Sequence, residues 1–190
     1  MQKITSFLWF ETEAEEAARF YVSVFKKKSK ILSVARYGDA GPGPKGSVMV
    51  VEFMLEGQRF MALNGGPQFK FSPAFSLVVA CKTQKEIDYY WDKLVAGGAP
   101  SACGWLTDKF GFSWQIVPEL VSKVMGSKDA AKTNRFMAAL MPMVKLDLAT
   151  LEAAAKGPTK GTTKGSTNGA AKRAPRRRAK PARRSAALSY

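Results

Sequence analysis

The sequence predicts an α+β fold built from one βαβββ module used twice. Three observations carry that prediction. An almost wholly apolar segment, Ile4–Phe10, precedes a 3.6-periodic stripe; the same strand-then-stripe order recurs at an offset of 70 residues; and short alternating segments follow each stripe.

In the first module, Ile4–Phe10 (ITSFLWF) reads as a buried strand. Thr12 is placed to cap the following helix, with Glu15 as its capping-box partner. Ala14, Ala17, Ala18, Tyr21, Val22 and Phe25 form the apolar stripe of that helix, Ala14–Phe25, and its acids cluster in the first turn, where the helix dipole favours them. Ile31–Tyr37 is a second strand. The loop that follows, GDAGPGPKGS, contains Gly41, Gly43 and Gly46 in the letters of GxGxxG. Pro42 and Pro44 interrupt it and a strand follows, so no helix N-terminus is offered to a pyrophosphate. Val48–Leu55 and Arg59–Leu63 form a hairpin about Glu56-Gly57-Gln58, ending in Asn64-Gly65-Gly66-Pro67.

The second module restates the pattern. Ala74–Cys81 is an apolar strand, Thr83 a cap with Glu86 at the capping-box position, and Ile87, Tyr90, Trp91, Leu94 and Val95 a helical stripe stopped at Gly97-Gly98. The strict register sets Ser6 over Ser76, Leu8 over Val78 and Tyr21 over Trp91. After a short segment near Ala102 comes the aromatic hairpin Gly104–Pro118. Its strands run from Trp105 to Asp108 and from Phe112 to Val117, about the turn Asp108-Lys109-Phe110-Gly111. Phe112, Trp114 and Ile116 point to one face; Ser113, Gln115 and Val117 point to the other. The domain reading is residues 1–118 as paired modules (1–67 and 72–118), 119–156 as C-terminal helices and 157–190 as a tail. The helices are Glu119–Met125, Asp129–Met141, with Phe136, Met137, Leu140 and Met141 as its stripe, and Leu146–Ala155.

Charge is distributed unevenly. Ten of the 30 basic residues and none of the 15 acidic ones lie in 157–190, so that segment carries +10 of the net +15. Its Thr/Gly/Ser and then Ala/Pro/Arg composition offers nothing to bury and predicts disorder. Lys172, Arg173, Arg176, Arg177, Arg178, Lys180, Arg183 and Arg184 would neutralise phosphates, giving nonspecific, salt-sensitive contact with nucleic acid; a bland extension with no partner is the alternative. No run of 18 apolar residues spans a membrane, and Met1–Glu16 has no signal-peptide pattern. Two cysteines, Cys81 and Cys103, suggest neither a disulfide framework nor a metal pattern and fit reduced packing roles in a cytoplasmic protein. Histidine is absent, which excludes His-based proton transfer and His–metal ligation from this chain.

The segments FLWF…AEEAARFYVSVF, YGDAGPGPKGSVMVVEF, FMALNGGPQFKF and CGWLTDKFGFSWQIVP, followed by an RFMAALM helix, resemble the PhnB-like branch of the vicinal oxygen chelate (glyoxalase/bleomycin resistance/dioxygenase) superfamily. Relatives in this branch often carry the label 3-demethylubiquinone-9 3-methyltransferase. The resemblance spans roughly residues 1–155. It implies that the modules pair into a curved mixed sheet, commonly within a homodimer, with the site on the concave face.

In metal-dependent members the ligands come from the first and last strand of each module. Mapped through the resemblance, those positions are Ser6, Asn64, Ser76 and Gln115, hydroxyls and amides that bring no negative charge to a divalent ion. Gln68 stands where similar relatives often have His. A metal-dependent lyase or dioxygenase, or a methyltransferase as relatives are labelled, is the alternative to the main expectation. That expectation is a metal-independent protein without a cofactor, binding a small molecule of unknown identity, whose status as an enzyme and catalytic residues are open. Its pocket would draw on Phe7, Trp9, Glu52, Asn64, Ser76, Trp105, Asp108, Trp114 and Gln115. For each tryptophan the competing reading is plain core with a bonded indole N–H; for Asp108 it is a turn residue.

Overall fold

The computed structural model describes residues 3–157, so the basic tail positions named above lie outside the described residues. The first module contains β1 (Ser6–Phe10), α1 (Ala14–Phe25), β2 (Lys30–Arg36), β3 (Val48–Leu55) and β4 (Gln58–Asn64). The second contains β5 (Ser76–Cys81), α2 (Gln84–Val95), β6 (Ala99–Pro100), β7 (Trp105–Thr107) and β8 (Ser113–Pro118), and α3 (Leu120–Met125), α4 (Ala130–Leu140) and α5 (Leu148–Lys156) complete the chain. The α+β reading and the two modules are as the sequence indicates. Each module forms its own four-stranded mixed sheet, in the orders β1-β4-β3-β2 and β5-β8-β7-β6. β1 runs parallel to β4 and β5 parallel to β8; the other pairings are antiparallel.

One face of each sheet carries its helix. The buried residues of both modules, among them Leu8, Phe10, Ala17, Tyr21, Phe53, Trp91, Leu94, Trp114 and Ile116, belong to one shared core. The opposite face of each sheet is open. On α1 the buried stripe runs through Val24 where the periodicity pointed to Val22. The expected Thr12 cap is also not used. Asn64, at the end of β4, accepts the Ala14 N–H through Oδ1 at 2.8 Å, so a residue 50 positions away caps the helix. On α2 the expected capping is present: Thr83 Oγ1 accepts the Glu86 N–H at 3.2 Å, and the Glu86 carboxylate accepts the Lys82 N–H.

The glycine-rich loop has a packing reason. A Cβ on Gly41 or Gly43 would meet the Tyr37 ring at 2.6 or 2.5 Å, so the loop wraps an aromatic ring that only glycine backbone approaches this closely. The Tyr37 hydroxyl donates to the Asn64 carbonyl at 2.8 Å.

The C-terminal helices bury a small core of their own, Val124, Phe136, Leu140, Leu146 and Leu151. In the expected α4 stripe, Phe136 and Leu140 face this core, whereas Met141 is 57% exposed. Two side chains dock the segment on α2. The Gln84 side chain donates to the Leu146 carbonyl and accepts from the Leu148 N–H, and Lys145 reaches Asp88 at 2.8 Å and Asp92 at 3.2 Å.

Candidate functional site

The open faces are built by strand alternation. On the first sheet, Leu8, Phe10, Val51, Phe53, Phe60 and Ala62 are buried under α1, which turns Phe7, Trp9, Glu52 and Met61 the other way. On the second, Val79, Cys81, Leu106, Trp114 and Ile116 are buried, which turns Ser76, Val78, Trp105 and Gln115 to the open side. Phe7 and Val78 are 52% and 58% exposed, large apolar side chains standing on edge strands.

The nine expected pocket residues therefore divide into three groups. Phe7, Trp9 and Glu52 share the open face of the first sheet, and Ser76, Trp105 and Gln115 that of the second. Asn64, Asp108 and Trp114 sit on neither. Asn64 is engaged at the start of α1 and donates through Nδ2 to the Val48 carbonyl at 3.1 Å. Trp114, 1% exposed, contacts Tyr21 and Phe25 in the shared core. Asp108, 3% exposed, is fully engaged: its Oδ2 accepts from Tyr21 Oη and Trp114 Nε1, both at 2.8 Å, and its Oδ1 from the N–H groups of Phe110 and Phe112 at 2.9 and 3.1 Å. Burial pushes the Asp108 carboxyl above the usual carboxylate range, against four hydrogen bonds that pull it down. This is a structural carboxylate joining α1 to the second-module hairpin. Its turn ends in Gly111 at φ 79°, the left-handed backbone expected there.

The strand pairing also corrects the metal-position mapping. The helices repeat at an offset of 70, but the buried positions of the first strands repeat at 71: Leu8 matches Val79 and Phe10 matches Cys81. A one-residue slip turns a strand over. Ser6, which shares the face of Leu8 and Phe10, is consequently not the counterpart of Ser76. Across the parallel pair, Phe7 lies beside Met61 and Val78 beside Gln115, so Met61, and not Asn64, is the counterpart of Gln115. Sequence reasoning missed Met61, and the burial alternation of β4 is the signal that locates it.

The open-face positions of the outer parallel pairs are thus Phe7, Met61, Val78 and Gln115, with Ser76 at the strand start. Gln115 Nε2 donates to Ser76 Oγ at 2.9 Å. Among the described residues this leaves the Gln115 carbonyl free to accept and the Ser76 hydroxyl free to donate. Among the described residues no group of three or more His, Cys, Asp or Glu is placed to hold a metal ion. A divalent cation does not fit this donor set. Nor, among the described residues, does S-adenosylmethionine find the glycine-rich strand-to-helix turn that commonly binds it, because the glycine-rich loop after β2 joins two strands and is packed on Tyr37. Trp9 is fixed at the rim by its indole N–H bond to the Gly66 carbonyl at 2.9 Å and by an edge contact with Phe69.

A protein-family model described as 3-demethylubiquinone-9 3-methyltransferase matches residues 2–117, more than half of the chain. Among solved structures, the chain is similar to the PhnB protein of Bacillus cereus, whose description carries the same methyltransferase name. The two are 44% identical over 62% of this chain and 99% of that one, with a TM-score of 0.57. A Pseudomonas aeruginosa protein shares the fold at 20% identity and a TM-score of 0.52, over 63% of this chain and 98% of its own. A glyoxylase/bleomycin resistance protein/dioxygenase domain from Frankia also matches at 15% identity, over 60% of this chain and 94% of its own, with a TM-score of 0.40. No curated protein matches. No helix among the described residues is long and apolar enough to cross a membrane.

Proposed function

The chain belongs to the family described as 3-demethylubiquinone-9 3-methyltransferase, the PhnB-like branch of the vicinal oxygen chelate superfamily, and from that premise we propose that it binds a small organic molecule on its open sheet faces without a metal ion. The observation that carries this reading is the Gln115–Ser76 pair. It offers one free acceptor and one free donor beside Trp105 and Val78, on a face otherwise poor in charge. Such a site suits an apolar or planar ligand with one neutral polar group: the rings supply contact area and the paired side chains fix orientation.

The protein acts as a homodimer in this reading. β1 and β5 each pair on one side only among the described residues, and each carries an exposed apolar side chain, Phe7 and Val78. A second copy that sets β1 beside β5 would bring Phe7, Trp9 and Glu52 against Ser76, Trp105 and Gln115 in one cup. The methyltransferase name of the family supplies no step here, since the residues present do not fit its cofactor.

Thermal unfolding with added Mn, Ni, Zn or Fe ions tests the metal-free part. A site saturated at 100 times its Kd would stabilise the fold by about 2.7 kcal/mol. The expected result is an unchanged transition, and a clear upward shift with any of these ions overturns the reading. Native mass spectrometry of the purified protein reports whether a small molecule is carried and whether the chain is dimeric.

A further inference from the structure

We propose a second ligand site in the cleft between the two modules, selective for an apolar molecule bearing one anionic head. The cleft encloses about 600 Å³, within the range of sites for drug-sized molecules. Its floor is apolar and belongs to the shared core: Phe25 from the end of α1, Phe60 from β4, Leu77 from β5 and Trp114 from β8. Neither Ser76 nor Gln115 lines it, although Val78 of the open face stands at its border, so its floor is distinct from the Gln115–Ser76 pair.

The rim carries the charge. Lys26, Lys27 and Lys82 line the mouth, and none of their ammonium groups has a carboxylate partner among the described residues. Two acids share the rim, Glu56 and Glu86, the latter also accepting the Lys82 N–H as part of the α2 cap, so three cations face two carboxylates. Lys26 is held at φ 52° directly after α1, with its ammonium 5.7 Å from the centre of the Tyr89 ring. A non-glycine residue kept at positive φ costs energy that the surroundings must offset, and such positions cluster at ligand sites. Tyr90 stacks on Phe25 at 5.2 Å and also lines the cleft. An alkyl or aryl body on the floor would therefore place a carboxylate beside Lys27 and Lys82, with Lys26 held over Tyr89.

Titration of the full chain with sodium decanoate, and separately with 1-decanol, tests the proposal. The expected result is saturable binding of decanoate in preference to decanol. Replacing Lys27→Met and Lys82→Met together should weaken decanoate binding about three- to tenfold, as two exposed charge contacts would. Lys27→Arg with Lys82→Arg should restore it, which separates loss of charge from loss of fold. The basic tail is present throughout and cancels. Leu77→Trp, which fills the floor, should abolish binding. Equal affinity for decanol, or no change in the Met pair, overturns the proposal. Loss of binding in Phe7→Ala with the Met pair unaffected also overturns it while supporting the open-face site.

Discussion

Tyr21 and Asp108 tie α1 to the second-module hairpin at the buried centre of the molecule, with the Tyr89–Val24 hydrogen bond and the Lys109–Glu16 ion pair as further links between the modules. Tyr21→Phe removes a hydrogen bond to a buried carboxylate and leaves the ring packing with Phe53, Phe110 and Trp114 intact. A hydrogen bond to a charged group contributes about 1.5–3 kcal/mol, so the variant should lose about that much stability. Asp108→Asn is predicted to cost a similar amount or more. If its oxygen keeps the Phe110 and Phe112 N–H groups, its amide nitrogen faces the Trp114 N–H, donor against donor, inside the core. Because both changes strike one network, the double variant should fall short of the sum by about 0.5–3 kcal/mol. Urea unfolding followed by tryptophan fluorescence measures all three, and each kcal/mol should appear as about 2–4 °C in Tm for a chain of this size. The acid dependence has a definite sign. Burial raises the Asp108 carboxyl in the folded state, so the native form holds its proton more firmly than the unfolded chain. The group's contribution is complete below the unfolded value near 3.9 and is lost as pH rises through the folded value. The stability gap between wild type and Asp108→Asn should therefore narrow as pH rises across that window. Single losses below about 0.5 kcal/mol, or strict additivity, would refute the assignment of Asp108 as an inter-module anchor.

Asn64→Ala strips the Ala14 N–H and the Val48 carbonyl of their partner and should cost about 1 kcal/mol in urea unfolding, as loss of an N-cap does; a neutral result would mean that water replaces it. Val78→Lys places a charge on the exposed face of the β5 edge strand and should shift the proposed dimer to monomer in sedimentation, and an unchanged oligomeric state would rule out this edge as the contact. Deleting residues 157–190 removes +10 of charge and should abolish binding to duplex DNA at low salt, whereas equal binding by the truncated chain would acquit the tail.

Most of the architecture was legible because two periodicities carry it. The helices were visible at Ala14–Phe25 and Gln84–Val95 because apolar side chains recur on one side of each, and the hairpin at Trp105–Pro118 because Phe112, Trp114 and Ile116 alternate with polar neighbours. The cap of α1 was not legible. Thr12 satisfies the local rule, but Asn64 arrives at the same N–H through the β1–β4 pairing, a contact that sequence spacing does not encode. The site was half legible for a related reason. Aligning the modules by their helices fixes an offset of 70, yet the strands answer to burial and repeat at 71. Strand facing has a period of two, so that single residue decides whether Ser6 looks into the core or outward. It also decides that Met61 stands opposite Gln115 in the modular symmetry. With Met61 in that place the first module offers its open face a thioether beside Phe7, and the second an amide beside Val78. The two halves of the proposed cup are chemically unequal: the first sets Phe7 and Met61 beside the Glu52 carboxylate and the second offers a neutral amide beside Val78, which favours a ligand held in a single orientation.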